Sequence, residues 1–181
     1  MRLPVTQNIF LELTSLQHAA GLFELVDTNR EHLSRFLPWV NNMQSVADFE
    51  NYTRHCETQY DQKTDISFVI KVDDRIAGRI GLHYIHPYNK IAAIGYWLSK
   101  EFEGQGIILQ SCRVIISYGF KQLHLNRIEI KAAAENIRSQ TVPQKLGFTS
   151  EGILREAEWV NNGFVDLHLY SLLKKEWPTG K

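Results

Sequence analysis

An excess of either charge is what this sequence lacks first, with twenty Lys and Arg set against twenty Asp and Glu. The balance removes the broad electrostatic grip that holds proteins on nucleic acid or on an anionic membrane, and neither partner is expected. Cysteine is scarce too. Cys56 and Cys112 stand far apart and in no metal-ligand spacing, which fits a reducing compartment and argues against a disulfide framework. Both read as small buried hydrophobes. The longest apolar stretches, such as 91–98, fall well short of the roughly 20 residues that a membrane span needs. The first eight residues carry no apolar signal core, so a cytoplasmic protein is expected. Of the seven histidines only His83 and His86 lie close together, on a strand-like stretch without cysteine or a carboxylate cluster, and no metal is expected.

Two familiar phosphate-binding signatures are missing as well. Counted from Gly104, the third glycine of G-x-G-x-x-G would fall at Leu109, and no Gly-Lys-Ser/Thr occurs, so neither a Rossmann dinucleotide site nor a P-loop fits. What is present is Glu101-Phe102-Glu103-Gly104-Gln105-Gly106-Ile107-Ile108, two glycines bracketing one residue just before a long apolar run of helical period. Glycines let the backbone approach an anion and adopt dihedrals closed to other residues, and the free N–H groups of the helix's first turn complete a pocket for a phosphorylated cofactor. The same pattern also serves as a plain turn before a helix.

At 181 residues, 44% hydrophobic and 22% charged, the chain can bury one core and is read as a single domain, 1–181. Residues 9–16 read as a strand and 16–32 as helical, with Leu22, Phe23, Leu25 and Val26 as apolar positions. A second helix starts near Ser45, where Ser45-Val46-Ala47-Asp48 resembles a capping box with Asp in place of Glu. Between the two, Phe36-Leu37-Pro38-Trp39 either packs the helices together or walls a substrate pocket. Strands 66–72 and 76–85 are joined at Asp73-Asp74, and a third, 91–98, leads into the glycine loop. From Ile108 onward, Cys112, Ile115, Ile116, Gly119, Phe120 and Leu123 mark a helix with one buried stripe. Residues 127–134 are then a strand and 136–146 a short helix ended by Gly147, with Pro143 expected to restrict it. A hairpin, 149–160 and 164–174, turns at Asn161-Asn162-Gly163. A meander followed by two strand–helix steps implies an α/β fold, a mixed and mostly antiparallel sheet with flanking helices.

Several segments in order resemble the GNAT superfamily of acetyl-CoA-dependent N-acetyltransferases. They are Gly95-Tyr96-Trp97-Leu98, Gly104-Gln105-Gly106-Ile107, Asn126-Arg127-Ile128-Glu129-Ile130, Asn136-Ile137-Arg138-Ser139, Lys145-Leu146-Gly147-Phe148 and Glu151-Gly152. Residues 154–166, with Leu37-Pro38-Trp39, are most similar to the ribosomal-protein α-N-acetyltransferase branch. The loop departs from the superfamily pattern, which usually has Arg or Gln where Glu101 stands, and Glu103 is acidic as well. The resemblance implies the acyl-CoA N-acyltransferase fold, acetyl-CoA as cosubstrate, and the α-amine of a protein or peptide N-terminus, such as a ribosomal protein's, as acceptor. A homodimer suits the family. A small-amine acetyltransferase, acting on a polyamine or aminoglycoside, and a non-catalytic acyl-CoA sensor remain as alternatives.

The same resemblance assigns residues. Coenzyme contacts fall to Trp97, Leu98, Gly104, Gln105, Gly106, Ile107 and Asn136, with pyrophosphate on the backbone N–H groups of 104–107 and the pantetheine arm lying along 91–98 as an added strand would. An N–H near Leu98 polarises the thioester carbonyl. A peptide α-amine, with a pKa of ~7.7–8.0, is mostly protonated at neutral pH, so a base is needed. The match at Ala157-Glu158-Trp159 gives that role to Glu158, although two-residue alternation puts Glu156 on the same face. Many members protonate the leaving thiolate with a tyrosine on the helix after the fifth strand. Residues 136–146 hold none, and Ser139 takes the role. Phe36 and Trp39 are the expected acceptor walls.

Overall fold

The structure is a computed structural model and describes residues 1–178. Eight strands, β1 (Arg2–Pro4), β2 (Ile9–Leu13), β3 (Ile66–Val72), β4 (Arg75–His86), β5 (Ile91–Leu98), β6 (Arg127–Ala133), β7 (Thr149–Val160) and β8 (Gly163–Leu173), join in one sheet. Their order is β1-β2-β3-β4-β5-β6-β8-β7, and the sheet is antiparallel except between β5 and β6. Five α helices flank it: α1 (Ala19–Thr28), α2 (Arg30–Ser34), α3 (Val46–Asp61), α4 (Ile107–Lys121) and α5 (Ile137–Lys145).

Alternation along the strands supplies two apolar layers. Ile66, Phe68 and Ile70 of β3 share a core with Ile94, Ile128 and Ile130 and with Cys112, Ile115, Ile116 and Phe120 of α4. Val69, pointing the other way, is covered by Leu22 and Val26 of α1 and Phe49 of α3. With both faces covered, β3 is apolar almost throughout. The N-terminus of α3 is closed as its sequence predicts: Asp48 N–H donates to Ser45 Oγ at 3.3 Å, and Ser45 N–H to Asp48 Oδ2 at 2.8 Å.

Four sequence expectations need correction. Arg2–Pro4 forms a short strand against β2, too brief to leave a periodic signal. β2 stops at Leu13, and the helical stretch 16–32 is divided into a 3-10 turn at Leu16–His18, then α1 and α2, with Asn29 ending one helix and opening the next. The linker holds a second 3-10 turn, Pro38–Asn42, with proline at its start. Pro143 neither ends nor shortens α5 appreciably, being its seventh residue of nine.

The feature that positions a site is a gap. β5 and β6 pair only from Ile91↔Arg127 to Ile94↔Ile130, after which β5 stays with β4 as far as Leu98 and β6 stays with β8 as far as Ala133. Beyond Ile94 the facing edges of the two parallel strands diverge. Gly78 fixes one lip, because a Cβ there would collide with the Trp97 carbonyl oxygen and lie 2.9 Å from Leu98 Cα. Gly78→Ala is therefore expected to force β4 and β5 apart at a cost of about 1–3 kcal/mol. Thermal denaturation should show a drop of ~2–4 °C for each kcal/mol lost.

Candidate active site

The glycine loop crosses the open end of this gap. Gly104 and Gly106 adopt φ of 75° and 74°, the left-handed region in which a side chain is strained, and a Cβ at Gly104 would meet nothing within 4 Å. Gly106 precedes α4 without a side-chain cap, and Gln110 N–H, donating to the Gly106 carbonyl at 3.0 Å, makes the i→i−4 bond that opens the helix ladder. The amides before it belong to the first turn and point out of the helix, a concave set of donors suited to an anion. The Ile107 side chain is buried in the main core, so only its backbone faces this space. Gln105 is exposed and its amide donates to the Glu101 carbonyl at 3.0 Å.

The acidic residues of the loop are paired with side chains from elsewhere in the chain. Arg75 pairs with Glu101 at 2.6 Å. Glu103 sits between His32 of α2, 3.1 Å away, and Arg138 of α5. Arg138 is largely exposed and stands at the mouth of the gap, the cation that the loop itself does not contain. It lies in the Asn136-Ile137-Arg138-Ser139 segment, where sequence alone assigned it no role.

Along the gap, Trp97 and Leu98 point to opposite faces. Leu98 and Tyr96 pack against the α4 core, while Trp97 packs against the α1–α3 layer and meets Trp39, ring centroids 5.9 Å apart. Across the gap, Asn136 caps α5, its Oδ1 accepting from Ser139 N–H at 3.1 Å. Gln140 anchors the same turn by donating to the carbonyls of Ala133 (3.0 Å) and Ala134 (2.8 Å). Ser139 Oγ and the Tyr96 hydroxyl lie 3.1 Å apart, and the hydroxyl also donates to the Ser139 carbonyl at 2.9 Å. Tyr96 thus bridges the two lips. Its only sequence signal was its place in Gly95-Tyr96-Trp97-Leu98, on the strand face turned toward α5.

Glu158 stands on the other face of the sheet, on β7, with β8 and β6 between it and the gap. Register places it opposite Val165, and through Leu167 and Leu169 on the face of β6 that carries Lys131 and Ala133. Burial raises its pKa above the usual carboxylate value, with Lys131 opposing. The alternation that seemed to make Glu156 its equivalent is broken by a bulge: Leu154 pairs with Leu167 and Glu158 with Val165, so three residues oppose Asp166 alone. Glu156 lies within it at φ 50°, exposed, its N–H donating to Asp166 Oδ1 at 2.7 Å.

Pro38, Asn41 and Asn42 of the 3-10 turn and Trp159, Asn161 and Asn162 of the hairpin line an open pocket of about 300 Å³. Asn161 holds the two parts together, donating to the Ser34 carbonyl at 3.1 Å and to that of Arg35 at 3.4 Å. Phe36 and Trp39 are not among the lining residues. Trp39 is packing, and Phe36 lies under the Arg35 guanidinium at 5.6 Å.

This architecture has known counterparts. Residues 8–149 match the family described as an acetyltransferase (GNAT) domain. The chain is 38% identical over 178 residues to a putative ribosomal N-acetyltransferase, YdaF, of Bacillus subtilis, covering 98% of this chain and 97% of that protein. It is 31% identical over 167 residues to the ribosomal-protein-serine acetyltransferase of Escherichia coli, covering 92% and 93%. Among solved structures, the ribosomal L7/L12 α-N-protein acetyltransferase RimL in complex with coenzyme A superposes with a TM-score of 0.93 at 27% identity, over 96% of this chain and 98% of that one. With the glycine loop, the parted strands and the family match all falling on the same residues, the chain belongs to the GNAT acetyltransferase family.

Proposed function

We propose that this protein acetylates the α-amine of a protein N-terminus, with a ribosomal protein as the acceptor class. As a GNAT acetyltransferase it draws on acetyl-CoA, which supplies an activated acetyl group as a thioester. The gap between β5 and β6 suits a peptide-like arm, since its edges carry backbone groups that no strand satisfies. The left-handed glycines and free amides before Gln110 suit a pyrophosphate, and Arg138 adds the cation.

The observation that carries this reading is a desolvated carboxyl and a hydroxyl on opposite faces of the sheet, Glu158 on the face that carries Lys131 and Ser139 on the side of α5. Glu158 accepts the proton of the attacking amine, a task helped by its raised pKa. Ser139 Oγ steadies the departing sulfur. The pocket that receives the acceptor is lined by four asparagines, one proline and one tryptophan, with no carboxylate. Amides match the backbone of an extended peptide, whereas a polyamine calls for negative charge. Similarity to the two ribosomal-protein acetyltransferases supports the same acceptor.

Two predictions test this. Glu158→Gln should lower kcat at pH 7 by about 100-fold or more, with partial recovery as the pH rises past the amine pKa of ~8. The same change should stabilise the fold at neutral pH. A carboxylate whose folded pKa exceeds its ordinary value of 4.5 favours folding below that value and opposes it as pH rises through the folded pKa. Melting curves should thus show a gain for Glu158→Gln at pH 7 and almost none at pH 4. Normal turnover by Glu158→Gln beside a slow Glu156→Gln would move the base to the bulge.

The second prediction concerns the acceptor. The α-carbon must pass close to the thioester, leaving little room for a side chain, so peptides beginning with Ser or Ala should be acetylated faster than those beginning with Leu or Phe. Mass spectrometry after incubation with acetyl-CoA locates the acetyl group. Faster modification of spermidine than of every peptide would replace the protein acceptor by a small amine, and coenzyme binding with no transfer at all would indicate a sensor.

A further inference from the structure

Pro143 is the seventh residue of α5, four after Ser139. A proline there has no N–H to give the carbonyl one turn back, and its ring crowds that carbonyl. The Ser139 carbonyl is nevertheless satisfied, because the Tyr96 hydroxyl reaches across from β5 and donates to it at 2.9 Å. A phenol has one proton. The 3.1 Å contact between Ser139 Oγ and the Tyr96 oxygen therefore runs the other way, with the serine donating. In this arrangement Ser139 turns only lone pairs toward the gap, and it steadies an anion only after changing partners.

We propose that Tyr96 is a positioning residue for Ser139, holding its hydroxyl at rest and supplying it with a replacement hydrogen bond when the serine proton turns to the leaving sulfur. The inference rests on the role given to Ser139 above. As the carbon–nitrogen bond forms and the carbon–sulfur bond breaks, the amine proton goes to Glu158 and the sulfur departs as a thiolate. Ser139 Oγ–H rotates from Tyr96 to that sulfur, and Tyr96 O–H rotates from the Ser139 carbonyl to Ser139 Oγ. Neither hydroxyl loses its proton; the thiolate draws one from solvent. Burial, with Cys112 adding to it, pushes the Tyr96 pKa well above the usual phenol value, so Tyr96 stays a neutral donor beside a thiol of pKa ~8.5. Pro143 makes the exchange available. An N–H at that position would compete for the Ser139 carbonyl and weaken the bond that Tyr96 leaves and returns to.

A double-mutant cycle on turnover of a serine-initiated peptide decides the matter. Tyr96→Phe should lower kcat about tenfold while leaving the KM for acetyl-CoA and the coenzyme-induced melting shift unchanged. The double variant Tyr96→Phe/Ser139→Ala should be no slower than Ser139→Ala alone, the signature of two residues acting as one unit. Pro143→Ala should slow the otherwise unchanged chain but add nothing to Tyr96→Phe. Losses that multiply in the double variant, or a Tyr96→Phe enzyme with full kcat, overturn the positioning role. Full turnover by Ser139→Ala overturns the Ser139 assignment itself, whereas a slow Ser139→Ala beside a normal Tyr96→Phe sinks the Tyr96 inference alone.

Discussion

The site depends on one constraint, the early parting of the two parallel strands. β5 and β6 share four paired positions, and each is then held by a different antiparallel neighbour, β4 on one side and β8 on the other. Each neighbour satisfies one edge of its strand. The facing edges are left with polar backbone groups that need partners, and a ligand with amides of its own can provide them. Because the strands are parallel, the helices that follow them, α4 and α5, both begin at the open end. The glycine loop and the Asn136–Ser139 turn consequently stand on opposite lips of the same gap, as ligand-binding groups do at the carboxyl ends of strands in other α/β sheets.

Charge at the mouth is arranged by distant parts of the chain. A loop carrying Glu101 and Glu103 is a poor place for a pyrophosphate on its own, yet Arg75 from β4, His32 from α2 and Arg138 from α5 converge on those carboxylates. Left-handed glycines leave the loop's backbone N–H groups open, and the guanidinium groups of Arg75 and Arg138 offset the local negative charge.

Several local rules are broken in the strands and helix near the proposed site. Pro143 lies inside a helix, where it removes a hydrogen bond, and the carbonyl it frees takes a bond from across the gap. Glu158 is desolvated on a strand, which disfavours its charge and raises its pKa. Glu156 adopts a left-handed conformation in a bulge, and the extra residues there set Glu158 in its place opposite Val165. Conflicts of this sort between local preference and tertiary position concentrate at functional sites.

Features that depend on neighbours along the chain were legible in the sequence: the β3–β4–β5 meander from its turns, α4 from its apolar period, the capped start of α3, the hairpin at Asn161-Asn162-Gly163, and a turn of two glycines before a helix. Family resemblance carried the activity and drew attention to Glu158 and Ser139. Features that depend on contacts between segments far apart emerge only from the folded chain. Two-residue alternation could not separate Glu156 from Glu158, because a bulge is a mismatch with the partner strand and leaves no mark on its own period. Phe36-Leu37-Pro38-Trp39 could pack helices or wall a pocket, and the structure packs Trp39 on Trp97 while Trp159 lines the open pocket by the hairpin. Arg138 and Tyr96 gained their significance from Glu103 and Ser139, 35 and 43 residues away in the chain. Periodicity reports which way a side chain faces; the residue it meets is fixed only when the sheet has closed around it.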